Sequence, residues 1–135
     1  LPILDLGKLS VYSYPGSFAQ IYSNLILNSI THGFDGLERQ KKIEIEIVQH
    51  ENELVIDYRD NGRGIESAIL PRIFDPFVTS KRGQGGSGLG THIVYNLVVQ
   101  LMKGRISCDS EPGNGVHFNI RIPIKQEMEP QAASV

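Results

Sequence analysis

The sequence predicts an α+β fold, a two-layer α/β sandwich in which a mostly antiparallel, mixed sheet of about five strands carries about three helices on one face. Three observations lead there. Two stretches repeat apolar residues at helical spacing, several short stretches alternate apolar with polar residues, and the alternating stretches come in neighbouring pairs joined by turn residues. Strand, helix, two strands, helix, helix and two strands is an order that places helices against one face of a sheet of hairpins.

Taken in order, Lys8 to Ser13 alternates enough for a short strand, which Tyr14-Pro15-Gly16 ends. Ser17 to about Thr31 is a helix: Ser17 and Gln20 have capping-box spacing, and Phe18, Ile21, Tyr22, Leu25, Ile26, Ser29 and Ile30 fall on one arc. Asn24, Asn28 and His32 run along the border of that arc at four-residue intervals. Asparagine is a poor helix former, so the pair is either two solvated amides or a source of oxygen ligands for a hard cation. Gly33 and Gly36 close the helix. Ile43 to Val48 and Leu54 to Arg59 form an antiparallel hairpin. The second strand runs into Asp60-Asn61-Gly62-Arg63-Gly64-Ile65. That is turn chemistry, or a fixed carboxylate beside bare backbone of the kind an adenine amino group needs.

Ser67 to Ile73 reads as a short helix around Pro71, followed by the aromatic-proline stretch Phe74-Asp75-Pro76-Phe77. The two phenylalanines are core anchors or ligand contacts, and Lys81 and Arg82 are solvated charges or partners of a polyphosphate. Next come Gly83, Gly85, Gly86, Gly88 and Gly90, which feed a helix carrying Leu89, Ile93, Leu97 and Leu101 with Val94 and Val98 beside them. A glycine loop entering a helix N-terminus is a phosphate cradle or a flexible surface loop. Gly83, Gly85 and Gly88 satisfy G-x-G-x-x-G, but no buried strand precedes them, no Lys-Ser/Thr follows, and neither His-Arg-Asp nor Asp-Phe-Gly occurs. Gly104 ends the helix. Arg105 to Ser110 and Val116 to Ile122 make the last hairpin, with Phe118, Ile120 and Ile122 inward.

The chain has 135 residues, expected to form one domain over 1–124 with a frayed tail over 125–135. A net charge of −2 gives no overall pull toward nucleic acid. Cys108 is the single cysteine, which excludes an internal disulfide and fits a reducing compartment, the cytoplasm. No apolar run reaches the roughly 18 to 20 residues of a membrane helix. A start at Leu1 without a signal peptide is expected of a piece of a longer protein, any membrane span lying elsewhere in it.

Together these stretches resemble the ATP-binding catalytic domain of bacterial two-component sensor histidine kinases, in the group shared with DNA gyrase, heat-shock chaperone ATPases and mismatch-repair ATPases. Asn24-Leu25-Ile26-Leu27-Asn28-Ser29 looks like the N box and Asp60 to Ile65 like the G1 box. Ile73 to Phe77 with Lys81 looks like the F box, and Gly86-Ser87-Gly88-Leu89-Gly90 like the G2 box. The resemblance implies the Bergerat fold, with ATP and Mg2+ as cofactors. It implies that Asn28 coordinates the metal, supported by Asn24, and that Asp60 reads the adenine amino group, helped by Gly62, Gly64 and Ile65. Gly86, Ser87, Gly88, Leu89 and Gly90 then face the phosphates. Lys81 and Arg82 reach the γ-phosphate, and Phe77 belongs to the F box. Thr31 stands where lysine is frequent, His32 where an aromatic flanks the nucleotide, and Thr91 where leucine is frequent.

The implied activity is γ-phosphoryl transfer to a histidine on a separate helical dimerisation domain, with a response regulator downstream. The isolated chain is then a monomer and the full-length protein a homodimer. His50 lies in a hairpin turn, where a helical phosphoacceptor does not. A water-activating ATPase needs a carboxylate where Asn24 stands. A nucleotide-binding module without catalysis is the other alternative.

Overall fold

The computed structural model describes residues 4–6, 9–11, 15–76 and 90–124, with side chains described over 16–76 and 90–124. Two short strands, β1 (Leu4–Leu6) and β2 (Leu9–Val11), pair antiparallel as a separate hairpin. The main sheet has four strands: β3 (Ile43–His50), β4 (Glu53–Asp60), β5 (Arg105–Ser110) and β6 (Val116–Pro123). They lie in the order β3-β4-β6-β5, and every pair is antiparallel. The α+β class is as expected, with two differences. Among the described residues the sheet is wholly antiparallel, and the N-terminal alternation forms its own hairpin instead of a fifth strand.

Alternation decides which side chains enter the core. Leu54, Ile56 and Tyr58 of β4, and Val116, Phe118, Ile120 and Ile122 of β6, share the face that the helices cover. Register places Ile56 opposite Ile120 and Tyr58 opposite Phe118, with the latter rings 6.3 Å apart. Helix α1 (Pro15–Asn28) contributes Ile21 and Leu25, and α2 (Gly90–Tyr95) with its continuation contributes Val94, Val98 and Met102. Burying one such aliphatic or aromatic side chain stabilises by roughly 1.5–3 kcal/mol, so this contiguous cluster dominates the fold.

Both helices end in wider, π-type turns, Ser29–Gly33 after α1 and Asn96–Leu101 after α2. The Phe34 amide donates to the Ser29 carbonyl at 2.7 Å, and the Met102 amide to Leu97 at 2.9 Å. Widening rotates residues off the α-helical arc. Ile30, expected inward, is 58% exposed, whereas Ser29 is buried. On α2 the core stripe is Thr91, Val94, Val98 and Met102, while Leu101 of the expected stripe is 40% exposed.

Other expectations change for local reasons. Proline pre-sets φ for a first helical turn, so α1 begins at Pro15 and Ser17 lies inside the helix instead of capping it. The short helix around Pro71 shrinks to one 3₁₀ turn, Leu70–Arg72. Past α2 the left-handed conformation falls on Lys103 (φ 60°). Gly104 is required for a different reason: a Cβ there would stand 2.2 Å from the Arg121 carbonyl oxygen.

Candidate functional site

The C-terminal end of α1, the end of β4, the start of β6 and the first residues of α2 surround a cavity of about 280 Å³. Its apolar floor is Leu25, Ile69, Ile73, Val116 and Phe118. Asn28, His32, Asp60, Gly64, Ile65 and Gly90 line it, so six of the residues singled out from the sequence meet in one space.

Asp60 closes β4, and the two-residue period that sends Tyr58 inward sends Asp60 inward too. Only 8% exposed, it is held by neutral donors. Its Oδ1 accepts from the Gly62 amide at 3.0 Å and the Val116 amide at 3.2 Å. Its Oδ2 accepts from the Ser29 hydroxyl at 2.6 Å. A carboxylate has about four acceptor positions, so among the described residues three are filled and a single one remains, on Oδ2. Ser29 in turn lies 2.6 Å from the Tyr58 hydroxyl. With Ser29 donating to Asp60, the Tyr58 hydrogen is shared between Ser29 and the Leu25 carbonyl at 3.1 Å. Burial pushes the Tyr58 phenol up to about 12; the Ser29 hydrogen bond pulls it down and the Asp60 charge adds to the rise. Tyr58 therefore stays a neutral donor at physiological pH.

Close backbone approach shapes the walls. A Cβ on Gly62 would stand 2.5 Å from the Gly33 carbonyl oxygen, and one on Gly64 (φ 81°) 2.4 Å from that of Glu111. The Arg63 amide donates to Gly33 at 2.8 Å, and the Gly113 amide to Arg63 at 2.6 Å. The Ile65 amide donates to the Ser110 hydroxyl at 2.8 Å. The turn after β4 is thereby locked between the end of α1 and the β5–β6 turn.

Across the cavity, Asn28 packs over Gly90, where an added Cβ would lie 3.0 Å from Oδ1 and 3.1 Å from Nδ2. Among the described residues the Asn28 amide makes no hydrogen bond, which leaves its oxygen available. Thr91, the second residue of α2, donates from its hydroxyl to the Ile73 carbonyl at 2.6 Å and ties the helix start to the cavity floor.

Asn24, Thr31 and Gly62 do not line the cavity. Gly62 nevertheless holds Asp60 through its amide, and the Asn24 Nδ2 is buried without a partner among the described residues. Lys81, Phe77, Arg82, Gly86, Ser87, Gly88 and Leu89 lie outside the described residues. Sequence reading missed Ser29 and Tyr58. Both had a readable signal: Ser29 follows Asn28 on the buried arc, and Tyr58 precedes Asp60 by one strand period.

Residues 14–126 match the family described as histidine kinase-, DNA gyrase B-, and HSP90-like ATPase. The chain is similar to the alginate biosynthesis sensor protein KinB of Pseudomonas aeruginosa, 32% identical over 124 residues, covering 92% of this chain and 19% of the relative. It is similar to the sensor histidine kinase RcsC of Escherichia coli K12, 36% identical with 100% of this chain and 15% of the relative covered. The autoinducer 2 sensor kinase/phosphatase LuxQ of Vibrio cholerae is 37% identical over 84% of this chain and 13% of its own length. The chain thus spans less than a fifth of these relatives. Among solved structures, the catalytic domain of histidine kinase ThkA superposes with a TM-score of 0.71 at 27% identity, covering 89% of this chain and 74% of that one. By the length of the match and the agreement in fold, the chain belongs to the family of histidine kinase-, DNA gyrase B- and HSP90-like ATPases.

Proposed function

We propose that the cavity binds Mg-ATP and that the domain presents the γ-phosphate to a histidine on a helical domain elsewhere in the same protein. One observation carries the reading: a buried carboxylate that, among the described residues, keeps a single acceptor position lines the same cavity as an amide, Asn28, without a partner among those residues and packed over the glycine that starts a helix. Adenine offers an exocyclic amino group as donor, and Asp60 Oδ2 is the acceptor that meets it. The floor of Leu25, Ile69, Ile73, Val116 and Phe118 takes the ring faces, and His32 flanks the nucleotide.

The donor set fits a divalent cation that arrives with the triphosphate. Among the described residues no group of three His, Cys, Asp or Glu side chains is placed to hold a metal, and Asn28 supplies one neutral oxygen. Mg2+ held by the Asn28 amide oxygen would supply neutralisation of developing phosphate charge. Asn28 orients that charge, with Asn24 one turn earlier behind it. Gly90 and Thr91 open the helical segment and line the cavity, and amides at a helix start are a favourable place for phosphate oxygens. Lys81 and Arg82, with the glycines from Gly86 to Leu89, complete the phosphate side in this reading.

An imidazole nitrogen is nucleophilic when neutral, so catalysis here is positioning and charge stabilisation, without a strong base. This agrees with Asn24, an amide, standing where a water-activating ATPase needs a carboxylate. The acceptor helices, a response regulator downstream, a dimer formed by the full-length protein around monomeric domains of this kind, and the cytoplasm as compartment complete the proposal.

Titration with a non-hydrolysable ATP analogue in the presence of Mg2+ tests it. Asn28→Asp and Asp60→Asn should each weaken binding while circular dichroism stays unchanged; unaltered affinity in both sinks the assignment. Incubation with labelled ATP and separately prepared acceptor helices should transfer label to the helices, and release of free phosphate instead would point to hydrolysis.

A further inference from the structure

The connection between α1 and β3 carries Arg39, which does not line the cavity and, among the described residues, pairs with no carboxylate. Its guanidinium is spent on main-chain carbonyls. Nη2 donates to Asn61 at 2.7 Å, Gly62 at 3.0 Å and Gly113 at 3.0 Å, and Nε donates to Asn61 at 3.2 Å. One cation therefore gathers acceptors from two different turns. The first leaves β4 directly after Asp60. The second joins β5 to β6 and leads to the Val116 amide that donates to Asp60.

Asn61 answers from the other side. Its Nδ2 donates to the Gln40 carbonyl at 2.7 Å, its Oδ1 accepts from the Lys42 amide at 2.8 Å, and its own amide donates to the Lys42 carbonyl at 3.2 Å. The connection and the Asp60 turn are thus stitched along several residues, with Arg39 alone also reaching the β5–β6 turn. Nη2 meets all three carbonyls while Nε shares that of Asn61, so the planar guanidinium fixes the direction of the nitrogen that spans the turns; an ammonium has no second nitrogen to fix its direction.

We infer that Arg39 is a positioning residue for base recognition. It clamps the two turns so that the remaining acceptor position of Asp60 keeps its aim into the cavity. The inference rests on the nucleotide reading above and goes beyond it, because it assigns discrimination between bases to a residue outside the pocket. Small displacements of a reading group are costly, since hydrogen bonds weaken steeply with misalignment. A cation holding only backbone would otherwise add general stability and leave selectivity alone.

The test compares two ligands with the same triphosphate: a non-hydrolysable ATP analogue and its inosine counterpart, in which a 6-oxo acceptor replaces the amino donor. Wild type, Arg39→Ala and Arg39→Lys are titrated by calorimetry with Mg2+ present, and folding is followed by thermal melting. Wild type should prefer the adenine ligand. Both variants should lose affinity for it on the order of tenfold, with inosine affinity nearly unchanged, so that selectivity collapses. Equal weakening of both ligands, or full selectivity in Arg39→Lys, overturns the positioning role. The lysine variant keeps charge and stem, so the result stands even where the alanine variant melts early. Failure of wild type to bind or prefer the adenine ligand is a separate outcome that removes the nucleotide reading itself, and this inference with it.

Discussion

Asp57 and Asp60 occupy the same strand three residues apart, and that odd spacing turns them to opposite faces of the sheet. On the open face, Asp57 Oδ1 meets His117 Nε2 at 2.6 Å and the Asn119 amide at 2.9 Å. Both partners are side chains from β6, aligned by register with Arg59 and Asp57. On the helix-covered face, Asp60 takes two main-chain amides and a hydroxyl, and keeps one acceptor position toward a cavity. The two carboxylates differ in what surrounds them. Asp57 lies mid-strand, where neighbours on the same face can reach and satisfy it. Asp60 lies where the strand gives way to a turn, so two of its three partners are main-chain amides and the carboxylate lines the cavity. A side chain held by main chain keeps its direction, which a ligand-reading group requires.

The largest break in this comparison should come from Gly115→Ala. Gly115 has φ 79°, and a Cβ there would stand 1.9 Å from the Asp60 carbonyl oxygen. The turn must move, and binding of an ATP analogue should fall below detection together with a lowered Tm. Asp60→Asn comes next. Its amide nitrogen would face Ser29 or the ligand as a donor, and loss of one hydrogen bond to a charged group, about 1.5–3 kcal/mol, weakens binding roughly 10- to 100-fold by calorimetry. Ser29→Ala should have a smaller effect. It frees a second position on Oδ2 and loosens the carboxylate, for about 1 kcal/mol or roughly fivefold in affinity.

The open face should respond to pH instead of to nucleotide. Burial raises the Asp57 carboxyl, and hydrogen bonds from Asn119 and His117 with the charges of His117 and Arg59 outweigh it, leaving the group below its ordinary value. A depressed folded-state value stabilises above the ordinary carboxylate range, and that stabilisation disappears as pH falls through the lower value. Asp57→Asn should therefore lower Tm by a few degrees (~2–6 °C) at neutral pH, the gap closing toward strongly acidic pH, with analogue affinity unchanged. A loss of affinity equal to that of Asp60→Asn would erase the distinction between the two faces. The smallest effect concerns Cys108, opposite Phe118 on the covered face. Burial, with the charges of Asp109 and Asp60, pushes its thiol up to about 12. It should resist iodoacetamide in the folded protein at mildly alkaline pH and react once the chain is denatured.

Much of this was legible in the sequence because it is local. Alternation in Val116 to Ile122 identified the inward residues Phe118, Ile120 and Ile122, all of which are buried. Of the Asn24–Asn28 pair and the Asp60-x-Gly62-x-Gly64 turn, Asn28, Asp60 and Gly64 line the cavity, while Asn24 and Gly62 stand behind it. Local periodicity misled where a helix changed pitch: Ile30 and Leu101 fit an ideal 100° repeat and are exposed, because wide turns rotate them away from the core.

By itself, then, the sequence determined the four strands of the main sheet, the two main helices and several of the polar residues that line the cavity, since propensity and period act over a few residues. Only the tertiary structure decided that Ser29 and Tyr58 support Asp60, that Gly62 and Gly115 are required by backbone contacts far away in the chain, and that Arg39 ties two turns together. Those relations join residues separated by 22 to 74 positions, and no repeat along a chain encodes which distant carbonyl a guanidinium will find.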